Sequence, residues 1–331
     1  MILTKALTID ASALSGVDFN SYINTFFSSL AADSNDFYGG TPDIFYGRPY
    51  NVSGSQVLST YTEGEAASPS VALIEGADLA YDYIHYGSSF GHGISGHIDS
   101  LTFGTWVDGV ATGTQGIGES GEIAGLATGL LIDGLDLSAA AGSGTDTSTN
   151  LVYGVYKAVN ALDAAYLYDL ISTYAVEFTG SAGNDSVVAY NHDDVLMGGA
   201  GNDTMRGAGG RDVLLGDAGD DLLFGNGGAD ILRGGSGADR LVGGGGRDLL
   251  TGGSGADTFI IAKLPAQSDI DIITDFETGV DRLSLRQFGL TSLDDLTVTE
   301  TADYVDLVTG TQTIRLEGLT AADLDSVSIL F

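Results

Sequence analysis

The 331-residue chain carries 45 acidic against 12 basic side chains, a formal net charge of −33, and no cysteine. That charge opposes any partner held through phosphate contacts, nucleic acid above all, and the missing cysteines exclude disulfides, thiolate catalysis and cysteine-based zinc sites. No apolar run nears the ~20 residues of a membrane span, so membrane insertion is not expected, and the length suffices for two domains.

The chain starts MILTKALTIDASALSG, which lacks a sustained apolar core and does not read as a cleaved signal peptide. Asp18–Ala31 places apolar residues at 19, 22, 23, 26, 27 and 30, the spacing of a helix that Asp18 is placed to cap. Val71–Leu79, Ile98–Trp106 and Glu122–Leu137 read as antiparallel strands, and Asn150–Leu162 and Ala164–Val176 as two helices. Strands in the middle with helices at the ends predict an α+β N-terminal domain over residues 1–178, a curved antiparallel sheet with helices on one face. Within it, Ala77–Gly104 concentrates Tyr81, Tyr83, Tyr86, His85, His92 and His97. The four histidines, these three and His192, form no H-E-x-x-H zinc helix, so a metalloprotease is excluded. No nucleophile–base pair is recognisable, and the chain is not expected to be an enzyme.

From Gly180 to Ile260 nine consecutive nine-residue repeats hold their phase: GSAGNDSVV, AYNHDDVLM, GGAGNDTMR, GAGGRDVLL, GDAGDDLLF, GNGGADILR, GGSGADRLV, GGGGRDLLT and GGSGADTFI. The sixth position is always aspartate and the eighth always apolar. The glycines suit a tight turn and the last three residues a minimal strand. Two repeats then make one coil of an all-β, right-handed parallel β-roll over residues 179–262. One apolar residue in nine does not offset the ordering of nine backbones at about 1–2 kcal/mol each. Stacked turns offer carboxylates and glycine carbonyls, the hard oxygen donors that calcium takes six to eight of. Several calcium ions are therefore expected, held by Asp185, Asp203, Asp212, Asp221, Asp230, Asp239, Asp248 and Asp257, with binding and folding a single event. The second repeat lacks its turn glycines, and Asp194 is left out of that set.

After the repeats, residues 263–331 read as a β-rich cap. Ile270, Ile272, Phe276, Val280, Leu283 and Leu285 are expected to cover the open end of the roll, whose bare edge would invite pairing with another chain. The final LDSVSILF places a few apolar residues after an acidic stretch.

The pattern G-G-x-G-x-D-x-U-x resembles the calcium-binding repeat of RTX proteins. The tail resembles the uncleaved C-terminal signal of that family, which implies export through a type I secretion apparatus to an extracellular location. The N-terminal half resembles the HasA-type hemophores, secreted haem scavengers. LAY gives Tyr81, His92 lies in HGISG, and GHIDSLTFG (Gly96–Gly104) gives the strand that follows. FNSYINTFFSSL, FYGG, GSQ, GLDLS and VYG agree in order, so the resemblance covers most of residues 17–176.

That resemblance implies ferric haem bound by the Tyr81 phenolate, with His92 accepting the phenol's hydrogen bond. The stretch between Tyr81 and His92 is about three residues longer than the family pattern, which makes His85 the alternative to His92. Ala31–Tyr50 contains no histidine, where the family brings a second axial ligand. Iron is then five-coordinate or takes Tyr38, Tyr46, Tyr50 or His85. Phe37, Phe45, Tyr46 and Phe90 would pack on the porphyrin, and Arg48 meets a propionate or lies on the surface. The implied partners are host or environmental haemoproteins and an outer-membrane haem receptor. The alternative is an RTX-type secreted adhesin or surface-structural protein whose N-terminal domain binds a partner rather than haem.

Overall fold

The computed structural model describes residues 6–38, 43–45, 48–50, 53–81, 94–111, 123–140, 143, 145–263, 269–310 and 312–331. The chain divides into two compact units. One comprises Leu7–Ala13 and Ser21–Thr173; the other comprises Met1–Ala6, Leu14–Asn20 and Tyr174–Phe331.

The first unit is built on an antiparallel sheet of six strands: β1 (Leu7–Asp10), β2 (Ala31–Tyr38), β5 (Ser53–Glu63), β6 (Ala66–Tyr81), β7 (Ile94–Ala111) and β8 (Ile123–Ala139), in the order β2-β5-β6-β7-β8-β1. Strands β3 (Asp43–Phe45) and β4 (Arg48–Tyr50) pair with each other. Alternation sets the sheet's inner face. In β8, Leu130, Ile132, Leu135 and Leu137 are buried while Asp133, Asp136 and Ser138 are exposed. Register shifts interrupt β2–β5, β5–β6, β6–β7 and β7–β8, and such bulges bend and twist a sheet.

Helix α2 (Leu151–Ala161) packs against β7 and β8 through Val152, Val155, Ala158 and Val159, and α3 (Ala164–Ile171) packs on α2. The Asn150 side chain caps α2 by accepting from Tyr153 N at 2.8 Å. Its Nδ2 donates to Ile94 O at 3.1 Å, which ties the helix start to β7. Asp163 caps α3 in the same way. Both the first and last expected helices are shorter than their apolar spacing suggests. Helix α1 runs Phe19–Phe27, and Ser28 Oγ donates back to Thr25 O as it ends. Helix α3 stops at Ile171, where Ser172 and Thr173 hydroxyls donate to Asp169 O and Leu170 O. These side chains compete for the helix's own carbonyls.

The second unit is a parallel β-roll. One sheet runs β9 (Val176–Thr179), β11 (Val195–Ala200), β13 (Val213–Ala218), β15 (Ile231–Ser236), β17 (Leu249–Ser254), β19 (Ile270–Ile273) and β23 (Thr313–Glu317). The other runs β10 (Ser186–Val188), β12 (Thr204–Gly209), β14 (Leu222–Gly227), β16 (Arg240–Gly245), β18 (Thr258–Ile260), β20 (Arg282–Ser284) and β24 (Ser328–Leu330). Strands from one repeat to the next alternate between sheets. Partners within a sheet are eighteen residues apart, as in Leu214↔Leu232 and Leu223↔Leu241. Two fully buried columns result: Phe178, Leu196, Leu214, Leu232, Leu250 in one, and Val187, Met205, Leu223, Leu241, Phe259 in the other.

The segment after the repeats continues both columns with Ile273 and Leu283. Ile272, Phe276 and Leu285 are buried as expected of a cap, whereas Val280 is 44% exposed, in a turn rather than a strand. An antiparallel meander of β21 (Thr297–Glu300), β22 (Tyr304–Val308) and β23 finishes the first sheet. Arg315 of β23 makes a bidentate pair with Asp306 at 2.9 and 3.0 Å and lies 3.5 Å over the Tyr304 ring.

Candidate metal centre

The turns of repeats three to nine carry an unmet donor need. In each, the aspartate is buried and its Oδ1 accepts the backbone N–H of the aspartate eighteen residues earlier. These bonds run from Asp185 N to Asp203, Asp194 N to Asp212, Asp203 N to Asp221, Asp212 N to Asp230, Asp221 N to Asp239, Asp230 N to Asp248 and Asp239 N to Asp257, at 2.7–3.0 Å. The second oxygen has no partner. Oδ2 of Asp203, Asp212, Asp221, Asp230, Asp239, Asp248 and Asp257 is buried and unbonded. Buried carboxylate oxygens without a donor are costly, and an ion at the site removes that cost.

The space these oxygens face has no room for a side chain. A Cβ on Gly216 would overlap Asp221 Oδ2 and lie 2.5 Å from Gly234 O of the next coil. Gly225 stands in the same relation to Asp230 Oδ2 and Gly243 O, and Gly234 to Asp239 Oδ2 and Gly252 O. A carboxylate oxygen and a carbonyl from the neighbouring turn thus converge beside each glycine. Among the described residues no three His, Asp or Glu side chains cluster as a metal site. The donor set is one carboxylate per turn plus backbone carbonyls, which suits a hard cation with many oxygen ligands and not a transition metal.

Backbone conformation separates these seven turns from the first two. The second residue of each is left-handed, whether glycine (199, 235, 244, 253) or Ala208, Asp217 and Asn226 at φ 75°, 71° and 70°. Ser181 and Tyr190 hold that place in the first two repeats and are not left-handed. Their N–H groups donate to Asp185 Oδ2 at 2.6 Å and to Asp194 Oδ2 at 3.2 Å. Asp185 Oδ1 accepts from Val17 N and from Ser181 Oγ. Asp185, one of the eight aspartates expected from the sequence, therefore has both oxygens engaged, and the other seven do not.

Burial is the leading cause of raised carboxylate pKa values here. It pushes Asp203, Asp221, Asp239, Asp248 and Asp257 up to about 6 and Asp212 up to about 7, and it raises Asp230. Neighbouring aspartates in the row add to most of these shifts. The ladder also continues past the repeats. Asp271 accepts from Asp248 N and Asp281 from Asp257 N, while the Asp275 carboxylate takes Gly252 N and Gly253 N at 2.9 and 2.8 Å. Repeat counting missed these three. The signal was present for two of them, because Asp271-Ile-Ile-Thr and Asp281-Arg-Leu-Ser keep the aspartate–x–apolar–x order of the repeat.

The aromatic segment is placed only in part. Tyr81 is the last residue of β6 and pairs with Ile94, the first of β7. Tyr38 ends β2, opposite Gln56. The side chains of Tyr81 and Tyr38, and all of His85, His92 and Tyr46, lie outside the described residues. His97 sits on β7 with Nε2 2.9 Å from Asp99 Oδ1 and 3.3 Å from Asp136 Oδ1, an arrangement of the strand surface.

The family model for the RTX calcium-binding nonapeptide repeat (4 copies) matches residues 177–205, 197–232, 206–241 and 233–260. This quarter of the chain is an array of RTX calcium-binding repeats. No curated protein matches the chain. Among solved structures, the chain is similar to the apo form of the hemophore HasA from Yersinia pestis. Identity is 20% over 51% of this chain and 89% of that one, with a TM-score of 0.36. It is similar to the holo form of the same hemophore at 20% identity, the same coverage and a TM-score of 0.35. It is also similar to the AlgE6R2 subunit of the Azotobacter vinelandii mannuronan C5-epimerase. There identity is 29% over 44% of this chain and 92% of that one, with a TM-score of 0.29.

Proposed function

We propose that the chain is a secreted, calcium-dependent haem-binding protein that serves in haem-iron acquisition and is not an enzyme. For calcium, the observation that carries the proposal is the row of seven buried, unbonded Oδ2 atoms, each beside a glycine with no space for a Cβ. Asp203, Asp212, Asp221, Asp230, Asp239, Asp248 and Asp257 would hold the ions together with turn carbonyls. Bound calcium supplies the positive charge that the rows of carboxylates lack.

For haem, the support is the ordered set of motifs across residues 17–176 and the backbone position of Tyr81. The register pairs Tyr81 with Ile94, so one strand end and one strand start bracket the connection that carries His85 and His92. Tyr81 is the proposed iron ligand, as phenolate; His92, or His85 in its place, accepts the phenol's hydrogen bond and orients the ring. Tyr38 and Tyr46 are proposed neighbours of the porphyrin. The implied partners are haemoproteins that give up haem, an outer-membrane receptor that takes it, and a type I secretion apparatus.

Titrating the purified, calcium-loaded chain with hemin tests the haem half. A Soret band that saturates at one equivalent supports it. A hemin spectrum unchanged by the protein refutes it and leaves an RTX protein of adhesive or structural type.

A further inference from the structure

Leu14–Asn20 belongs to the unit that contains the roll, although about 160 residues of sequence separate it from the first repeat. It occupies the place of one more turn. Val17 N donates to Asp185 Oδ1 at 2.6 Å, as Asp185 N donates to Asp203 Oδ1. Ser186 N donates to Val17 O at 2.7 Å, as Thr204 N donates to Asp185 O. Asp18 bridges Ser186 in parallel. Asn20 then clamps Val188 from both sides, accepting its N–H at 2.7 Å and donating to its carbonyl at 2.9 Å. Phe19 is fully buried with its ring 5.9 Å from Phe178, beside the foot of the apolar columns. Gly16 is left-handed at φ 123°, and no Cβ fits at Gly183 because the Ser15 carbonyl fills that space.

Ser15-Gly16-Val17-Asp18-Phe19 thus lies on Gly183-Asn184-Asp185-Ser186-Val187, with valine where a further aspartate would be. The substitution suits its position. The carboxylate below has both oxygens engaged, so a carboxylate at 17 would add charge with no ion to meet it. The segment closes a parallel edge that would otherwise expose Ser186 and Val188 N–H groups.

We infer that Leu14–Asn20 is a calcium-dependent latch. It docks on the first coil only when the roll is folded, and in docking it sets the first turn of α1, which starts at Phe19. Where calcium is scarce, the segment is released and α1 loses its anchored start; where calcium is abundant, the anchor closes. The inference rests on the proposed calcium dependence of the roll. It goes beyond that proposal by linking it to a segment that contains no repeat.

Hydrogen exchange on the full-length chain tests the latch, with calcium and with EDTA. The amides of Val17, Ser186 and Val188 report the latch, and that of Leu222, bonded to Asp203 O, reports the roll. All four should gain protection over one calcium range. In Gly183→Ala the added methyl meets the Ser15 carbonyl. Val17, Ser186 and Val188 should then lose protection at least tenfold while Leu222 keeps it. Asn20→Ala is a milder variant and should weaken Val188 alone. Val17 and Ser186 protected alike with and without calcium, while Leu222 responds, would overturn the latch and leave the calcium proposal standing. A Leu222 amide indifferent to calcium would overturn both.

Discussion

The backbone N–H of Asp221 donates to Oδ1 of Asp239 at 2.8 Å, and Asp239 N donates in turn to Oδ1 of Asp257 at 2.9 Å. One oxygen of each carboxylate therefore holds the neighbouring coil in register, and the other is left to face a cation. The same residue thus stacks the coils and, as proposed, binds the metal, so two of its properties respond oppositely to substitution.

Asp221→Asn separates them. The amide oxygen still accepts from Asp203 N, but the buried negative charge is gone. In EDTA the variant should be more stable than the parent, because an uncompensated charge has been removed. In calcium it should be less stable and bind fewer ions. The β content by circular dichroism in both conditions, with calcium stoichiometry by calorimetry, checks this. Equal stoichiometry in parent and variant would remove Asp221 from the ligand set.

The pH dependence of the metal-free roll has a definite sign. Burial lifts these aspartates to about 6, and Asp212 to about 7, in the folded state, against ~3.9 for a free carboxyl. The folded chain keeps protons that the unfolded chain has released. The associated stability is fully present below pH ~4 and is lost as pH rises through 6 to 7. Calcium needs the ionised form, so its affinity should rise across that same window. Circular dichroism in EDTA should show more β structure at pH 5 than at pH 7.5, and calcium should reverse the order.

Ala208 takes a left-handed conformation with φ 75° in the turn of the fourth repeat. An L-residue other than Gly, Asn or Asp pays about 1–2 kcal/mol there. Ala208→Gly should recover about 1 kcal/mol in the calcium-loaded chain, less the added freedom of glycine when unfolded. Asn226→Gly, where asparagine already tolerates the region, should gain less. Thermal melts in calcium that rank the two in reverse would contradict the conformational argument.

Leu223 is fully buried at the centre of one apolar column. Leu223→Ala should cost about 2–5 kcal/mol. It should also raise the calcium concentration needed to fold the roll, read by circular dichroism, since metal and column stabilise the same coils.

For the N-terminal half, Tyr81→Phe should abolish or greatly weaken the Soret band of the hemin complex. Acidification below the usual imidazole range near ~6.5 should release haem from the parent, by protonating the histidine that accepts the phenol's hydrogen bond. An unchanged band in Tyr81→Phe would refute the ligand assignment. Pairing the variants His92→Ala and His85→Ala in the same titration identifies which imidazole acts.

Much of the roll was readable, because a phase of nine with aspartate sixth and an apolar residue eighth leaves one economical way to stack. Leu196, Leu214, Leu223 and Leu232 fell where that phase put them. The state of Asp185 turns on a residue of its own repeat. Ser181 stands where the metal-facing turns have a left-handed residue, and its N–H and hydroxyl take up the carboxylate. The glycine at the fourth position, shared with those turns, gave no sign of this, and Ser15, about 170 residues upstream, packs against it. In the sheet unit, strand alternation and the starts of α2 and α3 were legible, whereas the Asn150 and Asp163 caps were not singled out. The ends of α1 and α3 were not legible, because Ser28 and Thr173 close each last turn with backbone and hydroxyl bonds to the residue three before, ahead of where the apolar spacing ends.

The two aspartate ladders interleave, one running through 185, 203, 221, 239, 257 and 281 and the other through 194, 212, 230, 248 and 271. The unit that can be gained or lost without injury is therefore eighteen residues, not nine. Excising a single repeat would carry every downstream turn to the opposite edge and join the odd series to the even one. Asp271 and Asp281 would then meet the wrong neighbours. Evolution or design can lengthen this roll only in whole coils.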